Sequence, residues 1–147
     1  MKHNLGKQGS FVYGTDEIDD VVTQFYPLFE QSAVITLTGS LGAGKTTFVQ
    51  GLLRQAGVVG PVQSPTFTYV NIYKVSPELT IYHFDLYRLH TLAEFAELGF
   101  HEYLYQSGTK AIIEWPAIVT PFLKHGVCDC VLEYEGLDMR RLSYQCR

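Results

Sequence analysis

The apolar positions along the chain predict short strands that alternate with helices. Residues 33–37 form a largely apolar run, which is typical of a central strand buried on both faces of a sheet. Apolar side chains then recur at helical spacing over residues 48–56, and Gly57 is well placed to cap the end of that helix. The same reasoning predicts further strands over residues 10–13, 67–73, 79–84, 111–113, 127–133 and 141–144.

Two further helices are predicted from their end signals. Thr15 is a suitable N-cap for a helix with one apolar face, and Pro27 is expected to end or kink that helix near Tyr26. Thr91 and Glu94 form a capping box that opens a short helix. The predicted inward-facing residues of the two helices are Ile18, Val21, Val22 and Phe25, and Leu92, Phe95 and Leu98.

Strands that alternate with helices after residue 33 indicate an α/β fold with a mainly parallel central sheet flanked by helices. The last two strands, joined by a turn around Gly136, are expected to be antiparallel. A chain of 147 residues fits one compact domain, so we predict a single domain over residues 1–147. Ligands in such folds bind at the carboxyl ends of the strands.

A glycine-rich segment links the strand at 33–37 to the helix that follows it. Gly39, Gly44, Lys45 and Thr46 fill every required position of the phosphate-binding motif G-x-x-x-x-G-K-[ST]. Strand, loop and helix stand in the order that a P-loop NTPase-like fold requires, so we expect the segment to bind a nucleoside triphosphate with magnesium. Lys45 would contact the β- and γ-phosphates, and Thr46 would bind Mg²⁺. The predicted phosphate-binding residues are Gly39, Leu41, Gly42, Ala43, Gly44, Lys45, Thr46 and Thr47.

Carboxylates at two strand ends are candidates for the remainder of such a site. Asp85 follows the strand at 79–84, and we expect it to hold the metal, because aspartate is common at that position. Glu114 follows the strand at 111–113 and could orient the attacking water or complete the metal shell. Thr66 lies about twenty residues beyond the loop, where a threonine can sense the γ-phosphate; a simple proline turn is the alternative.

Composition and charge narrow the possible classes of protein. Apolar residues make up 46% and charged residues 18%, which allows a proper core, and the net charge is −4. A broad basic surface that holds DNA or RNA unaided is therefore not expected. We find neither a secretory signal nor an apolar run of the roughly 18–20 residues that a membrane span needs, so a cytoplasmic protein is expected.

Cysteine and histidine usage suggests no metal cluster. Cys128, Cys130 and Cys146 match no zinc spacing, and reduced thiols are the expectation. The chain's His83, His90 and His101 lack an i, i+4 metal-binding pattern, so structural or exposed roles are expected for them.

Four segments together resemble one family, TsaE, the P-loop ATPase of bacterial tRNA threonylcarbamoyladenosine biosynthesis. These segments are residues 39–47, 64–68, 82–88 (YHFDLYR) and 114–116 (EWP), in the family's order and spacing. The resemblance implies an ATPase that couples hydrolysis to turnover of a complex of the threonylcarbamoyl-transferase TsaD with its partner TsaB. Contact with tRNA would be indirect, through that complex.

The resemblance also implies residue roles. Thr46 and Asp85 would hold magnesium, Thr66 would belong to a switch, Glu114 would be essential for hydrolysis, and Trp115 would lie close to the nucleotide. Two departures from the family pattern are Ser40 and Ala117, which stand where acidic residues are common. A small-molecule kinase and a non-catalytic switch module remain as alternative functions.

Overall fold

A seven-stranded sheet forms the centre of the protein in the computed structural model, which describes residues 7–147. The strands are β1 (Gln8–Gly14), β2 (Val34–Thr38), β3 (Val70–Ser76), β4 (Leu79–Asp85), β5 (Thr109–Glu114), β6 (Val127–Tyr134) and β7 (Met139–Cys146). The helices are α1 (Ile18–Gln31), α2 (Lys45–Ala56) and α3 (Leu92–Glu97), with 3-10 turns at Thr15–Glu17, Phe100–Tyr103 and Pro116–Phe122. Within the described residues, no helix has the length and apolar character needed to cross a membrane.

The sheet has the strand order β1-β7-β6-β2-β5-β4-β3. Strands β6, β2, β5 and β4 are parallel neighbours, whereas the pairs β3/β4, β6/β7 and β1/β7 are antiparallel. The predicted α/β class and the antiparallel C-terminal strands are confirmed. The expectation of a mainly parallel sheet was wrong, because half of the strand pairings are antiparallel. Short turns link β3 to β4 and β6 to β7, and they leave no room for the crossover connection that parallel pairing needs.

Two apolar layers cover the sheet. Helices α1 and α2 pack on one face, where Phe25 and Phe48 meet edge to face with ring centroids 5.1 Å apart. Helix α3 and the later 3-10 turns cover part of the other face, around the buried Phe84, Phe95 and Phe100. The predicted apolar faces of α1 and α2 are confirmed, and so is the cap at Gly57, whose N–H donates to the carbonyl of Arg54 (3.1 Å).

Pro27 does not end α1, which continues to Gln31. Proline removes the hydrogen bond that the carbonyl of Thr23 would accept, but both residues lie on the solvent-exposed side of the helix, where water can hydrate that carbonyl. Burial of Leu28 and Phe29 on the opposite side then favours the additional turn.

Two smaller predictions are also corrected. Strand β3 begins at Val70, and Phe67 lies in a turn with its ring exposed. Thr91 caps α3 by accepting the backbone N–H of Glu94 (3.1 Å), as expected, but Leu98 lies beyond the helix and is half exposed.

Cys128 and Cys146 form a disulfide between β6 and β7, which contradicts the expectation of three reduced thiols. The two residues lie directly opposite each other in the antiparallel register, a relationship that the linear spacing of the cysteines does not reveal. Cys130 is the free, buried thiol, and burial raises its pKa far above the ordinary value.

Candidate functional site

The glycine-rich loop leaves the centre of the sheet. Strand β2, which lies between β5 and β6, ends at Thr38, and α2 begins at Lys45. Gly44 precedes the helix with φ +99°, in the left-handed region that glycine adopts most easily. At Gly39 a Cβ atom would collide with the carbonyl oxygen of Leu132, so only glycine fits against β6 there.

Lys45 points back over the loop rather than into solvent. Its ammonium donates to the carbonyls of Gly39 (2.6 Å) and Ser40 (3.0 Å) and lies 4.3 Å from the centroid of the Trp115 ring. The residue is only 5% exposed. Burial lowers the pKa of Lys45 below its ordinary value, and the carboxylates of Glu114 and Asp85 oppose that shift. The lysine is thus a buried cation close to two acids, which suits it to bind an anion.

The two predicted acids lie side by side at the carboxyl ends of β4 and β5, as direct cross-strand partners. Their exposures are 6% for Asp85 and 2% for Glu114, so neither carboxylate is an ordinary surface acid. Asp85 accepts hydrogen bonds from the hydroxyl of Ser64 (3.0 Å) and the backbone N–H of Tyr87 (3.1 Å). Two donors therefore orient this carboxylate.

The predicted switch segment contacts Asp85. The hydroxyls of Ser64 and Thr66 lie 3.2 Å apart, and the N–H of Tyr69 donates to the carbonyl of Pro65 (2.8 Å), which closes a turn. Ser64 was not among the residues that we predicted for the site, although it lies in the same short segment as Thr66. Its contact with Asp85 depends on how the loop folds over β4.

Trp115 follows β5 in a left-handed conformation, with φ +57°. Its backbone N–H donates to the carbonyl of Leu37 (3.1 Å), and its ring lies 4.9 Å from the ring of Tyr87, measured between centroids. A left-handed non-glycine residue costs roughly 1–2 kcal/mol. The backbone hydrogen bond and the ring contact offset this conformational cost. The turn then holds the indole beside Lys45.

One cavity of about 410 Å³ brings most of the predicted residues together. It is lined by Leu41, Gly42, Gly44, Lys45, Thr46, Thr47, Ser64, Thr66, Asp85, Glu114 and Trp115. Two predicted residues lie outside this lining. Gly39 contributes the carbonyl that binds Lys45, and Ala43 lines an adjoining cavity of about 170 Å³ together with Tyr13 and Arg140.

The donor set fits a magnesium ion. Thr46, Asp85 and Glu114 offer hydroxyl and carboxylate oxygens, the hard ligands that Mg²⁺ prefers. Within residues 7–147, no group of three or more His, Cys, Asp or Glu side chains forms a metal site. Magnesium commonly binds through one or two carboxylates together with substrate phosphates, so it needs no such group.

His83 was expected to be structural or exposed, and the structure places it against Glu114. The ring is completely buried, with its Nε2 atom 2.6 Å from Oε2 of Glu114. The signal in the sequence is its position two residues before Asp85 on one strand, since alternate residues share a face of the sheet.

The fold is an α/β fold with a mixed sheet. Its candidate site, at the carboxyl ends of the central strands, combines a glycine-rich loop, a buried lysine and two buried acids. The model of the family described as "Threonylcarbamoyl adenosine biosynthesis protein TsaE" matches residues 13–142. The chain therefore belongs to the TsaE family, and the resemblance drawn from the four motifs is confirmed.

Curated relatives are described as "tRNA threonylcarbamoyladenosine biosynthesis protein TsaE". The Bacillus subtilis protein is 36% identical over 111 residues, which cover 76% of this chain and 68% of the relative. The Treponema pallidum protein is 43% identical over 88 residues, which cover 60% of this chain and 63% of the relative, slightly less than two thirds of its length.

A solved structure is also similar. The crystal structure of Bacillus subtilis YdiB superimposes with a TM-score of 0.75 at 27% identity, covering 97% of this chain and 87% of that protein. The mixed α/β architecture is therefore shared with a solved relative.

Proposed function

We propose that this protein is a P-loop NTPase-like ATPase that binds and hydrolyses ATP in tRNA threonylcarbamoyladenosine biosynthesis. The observation that carries the proposal is the cavity of about 410 Å³ that joins the glycine loop and Lys45 to Asp85 and Glu114. A nucleotide-binding loop alone supports only phosphate binding. The two buried acids opposite the loop add the groups that hydrolysis requires.

Each residue has a distinct task in this proposal. Backbone N–H groups of the loop and the start of α2 bind the phosphates, and Lys45 contacts the β- and γ-phosphates. When bound by Thr46, Asp85 and the phosphates, Mg²⁺ would neutralise part of their negative charge. Glu114 orients a water whose oxygen bonds to the γ-phosphorus. The bond from the γ-phosphorus to the β–γ bridging oxygen breaks, and ADP keeps its electron pair. Both hydrogens of the water leave on the phosphate, as dihydrogen phosphate, which then ionises in solvent.

The adjoining cavity of about 170 Å³ suits the nucleoside. It shares Gly42, Gly44 and Thr47 with the larger cavity, so a nucleotide with its phosphates on the loop extends towards Tyr13 and Arg140. The choice of adenine rests on the family and not on these lining residues.

We infer from the family that TsaD and TsaB are the partners, that tRNA contact is indirect, and that the protein works in the cytoplasm. Hydrolysis would drive turnover of the transferase complex. Among the described residues, no arginine lines the cavity of about 410 Å³, so the transition state has no arginine finger in that lining. We therefore expect slow hydrolysis by the protein alone and faster hydrolysis in the complex.

The proposal is tested by measuring ADP and inorganic phosphate with the protein alone, with TsaD and TsaB, and with TsaD, TsaB and tRNA. Faster release of both products with the partners is the expected result. Equal rates in all mixtures would contradict the coupling. ATP binding with background ADP release in every mixture would favour the non-catalytic switch module.

One observation keeps a small-molecule kinase as a second candidate. A cavity of about 430 Å³, lined in part by Thr36, Tyr87 and Asp129, shares Trp115 with the nucleotide cavity and could hold a phosphate acceptor. A kinase would convert ATP to ADP with a phosphorylated metabolite as product. Free phosphate equal to the ADP formed would exclude that function.

A further inference from the structure

His83 lies directly below the two acids on the same face of the sheet. It is the cross-strand partner of Ile112, just as Asp85 is the partner of Glu114, two residues further along β4 and β5. The imidazole therefore reaches Glu114 diagonally across the two strands, at 2.6 Å between Nε2 and Oε2. His83 is 0% exposed and Glu114 is 2% exposed, so water does not compete for this bond.

The free ring nitrogen indicates which tautomer is present. The Nδ1 atom of His83 is buried, and it has no hydrogen-bond partner among residues 7–147. A hydrogen on Nε2 lets the ring donate to the Glu114 carboxylate and leaves only a lone pair unpaired at Nδ1. A buried N–H at Nδ1 without an acceptor would cost more than an unpaired lone pair.

We propose that His83 is a positioning residue for hydrolysis, because it anchors one carboxylate oxygen of Glu114 and leaves the other directed at the nucleotide cavity. The inference rests on the proposed ATPase function. An apolar side chain would fill the same space in the core without the cost of burying an imidazole. The histidine therefore serves the carboxylate that it contacts, and Glu114 keeps a fixed orientation in the cavity that Lys45 also lines.

Three substitutions separate this role from simple packing. In His83→Gln the amide nitrogen can take the place of Nε2 and still donate to Glu114, whereas in His83→Asn it takes the place of Nδ1 and cannot. His83→Leu removes every donor. We expect kcat for ATP hydrolysis, measured with TsaD and TsaB, to fall roughly 100-fold in the Leu and Asn variants, because a misplacement of about 1 Å has that effect. The Gln variant should recover most of the rate.

Nucleotide affinity should stay close to wild type in all three variants, measured by Trp115 fluorescence with a non-hydrolysable ATP analogue. His101→Leu is the matched control, since His101 also has a buried Nδ1 without a partner among the described residues but packs on Phe122, and its hydrolysis should be unchanged. Thermal unfolding of each variant shows whether it is folded. Wild-type kcat in His83→Leu, or equal losses in the Gln and Leu variants, would overturn the inference.

A second measurement does not depend on hydrolysis. In NMR spectra of protein with labelled histidine, the Nε2–H signal of His83 should be absent from His83→Gln and shifted in Glu114→Gln. A signal that does not respond to Glu114→Gln would also overturn the inference. If wild-type protein with its partners releases no ADP while the NMR result holds, the proposed function has failed and the contact itself stands.

Discussion

Asp85 and Glu114 are direct cross-strand partners on β4 and β5, and both carboxylates are almost completely buried. Two like charges side by side in the interior repel each other unless cations compensate them. Among the described residues, Lys45 supplies positive charge near them: burial lowers its pKa, and both carboxylates oppose that shift. The arrangement suits a site that receives further positive charge together with its anionic substrate.

The substitution Asp85→Asn tests the magnesium assignment. It removes a negative charge while keeping a side chain of similar shape that can still interact with Ser64. We expect the Mg²⁺ concentration needed for half-maximal ATP binding to rise roughly 10- to 100-fold. Titration of ATP binding with Mg²⁺ measures this, with Asp20→Asn on the exposed side of α1 as the control. Unchanged metal dependence would disprove the assignment.

Glu114→Gln should separate binding from hydrolysis. The amide oxygen can still accept from His83, but it is a weaker partner for an attacking water than a carboxylate. ATP hydrolysis in the presence of TsaD and TsaB should fall about 10²- to 10⁴-fold while ATP affinity stays unchanged. Glu97→Gln, at the exposed end of α3, should leave both quantities at their wild-type values. Loss of ATP binding in Glu114→Gln would instead assign the residue to the metal shell or to the fold.

Lys45→Ala should weaken nucleotide binding, and isothermal titration calorimetry measures ATP affinity in wild type and variant alike. In the wild-type protein, Trp115 offers a second readout. Trp115 is the single tryptophan of the chain, and the Lys45 ammonium lies over its ring. ATP should draw that ammonium towards the phosphates and change the fluorescence, which an unrelated anion should not do. Removal of a charged hydrogen-bond donor costs about 1.5–3 kcal/mol, so affinity should fall roughly 10- to 100-fold. Lys74→Ala, exposed on β3, is the control, and equal affinity in both variants would exclude the assigned role.

The disulfide between Cys128 and Cys146 predicts the thiol content of the protein. Protein that is unfolded without reductant should expose one reactive thiol per chain, that of Cys130, and three after reduction. The disulfide joins residues 18 positions apart in the sequence. Closing a loop of that length stabilises the folded state by about 3 kcal/mol, so the double variant Cys128→Ser/Cys146→Ser should unfold at lower denaturant concentration. Three thiols without reduction would restore the expectation of reduced cysteines.

Much of the site could be predicted from the sequence, because its parts are local. The glycines, Lys45 and Thr46 are close neighbours whose spacing matches the phosphate-binding motif that we predicted. Asp85 and Glu114 were predicted because each follows a strongly apolar strand, and parallel strands end at the same edge of a sheet. The motifs of residues 82–88 and 114–116 then identified the family.

Relationships between distant segments were decided by the tertiary structure. Antiparallel pairing of β3 with β4 and of β6 with β7 made the sheet mixed, and the register of the second pair brought Cys128 opposite Cys146. The folding of residues 64–66 over β4 placed Ser64 against Asp85, and the diagonal geometry of neighbouring strands placed His83 against Glu114. Local sequence determines which chemical groups are available and where elements begin, because propensities and caps act over a few residues. Strand register and buried contacts depend on how the whole chain packs, so they emerge only from the three-dimensional structure.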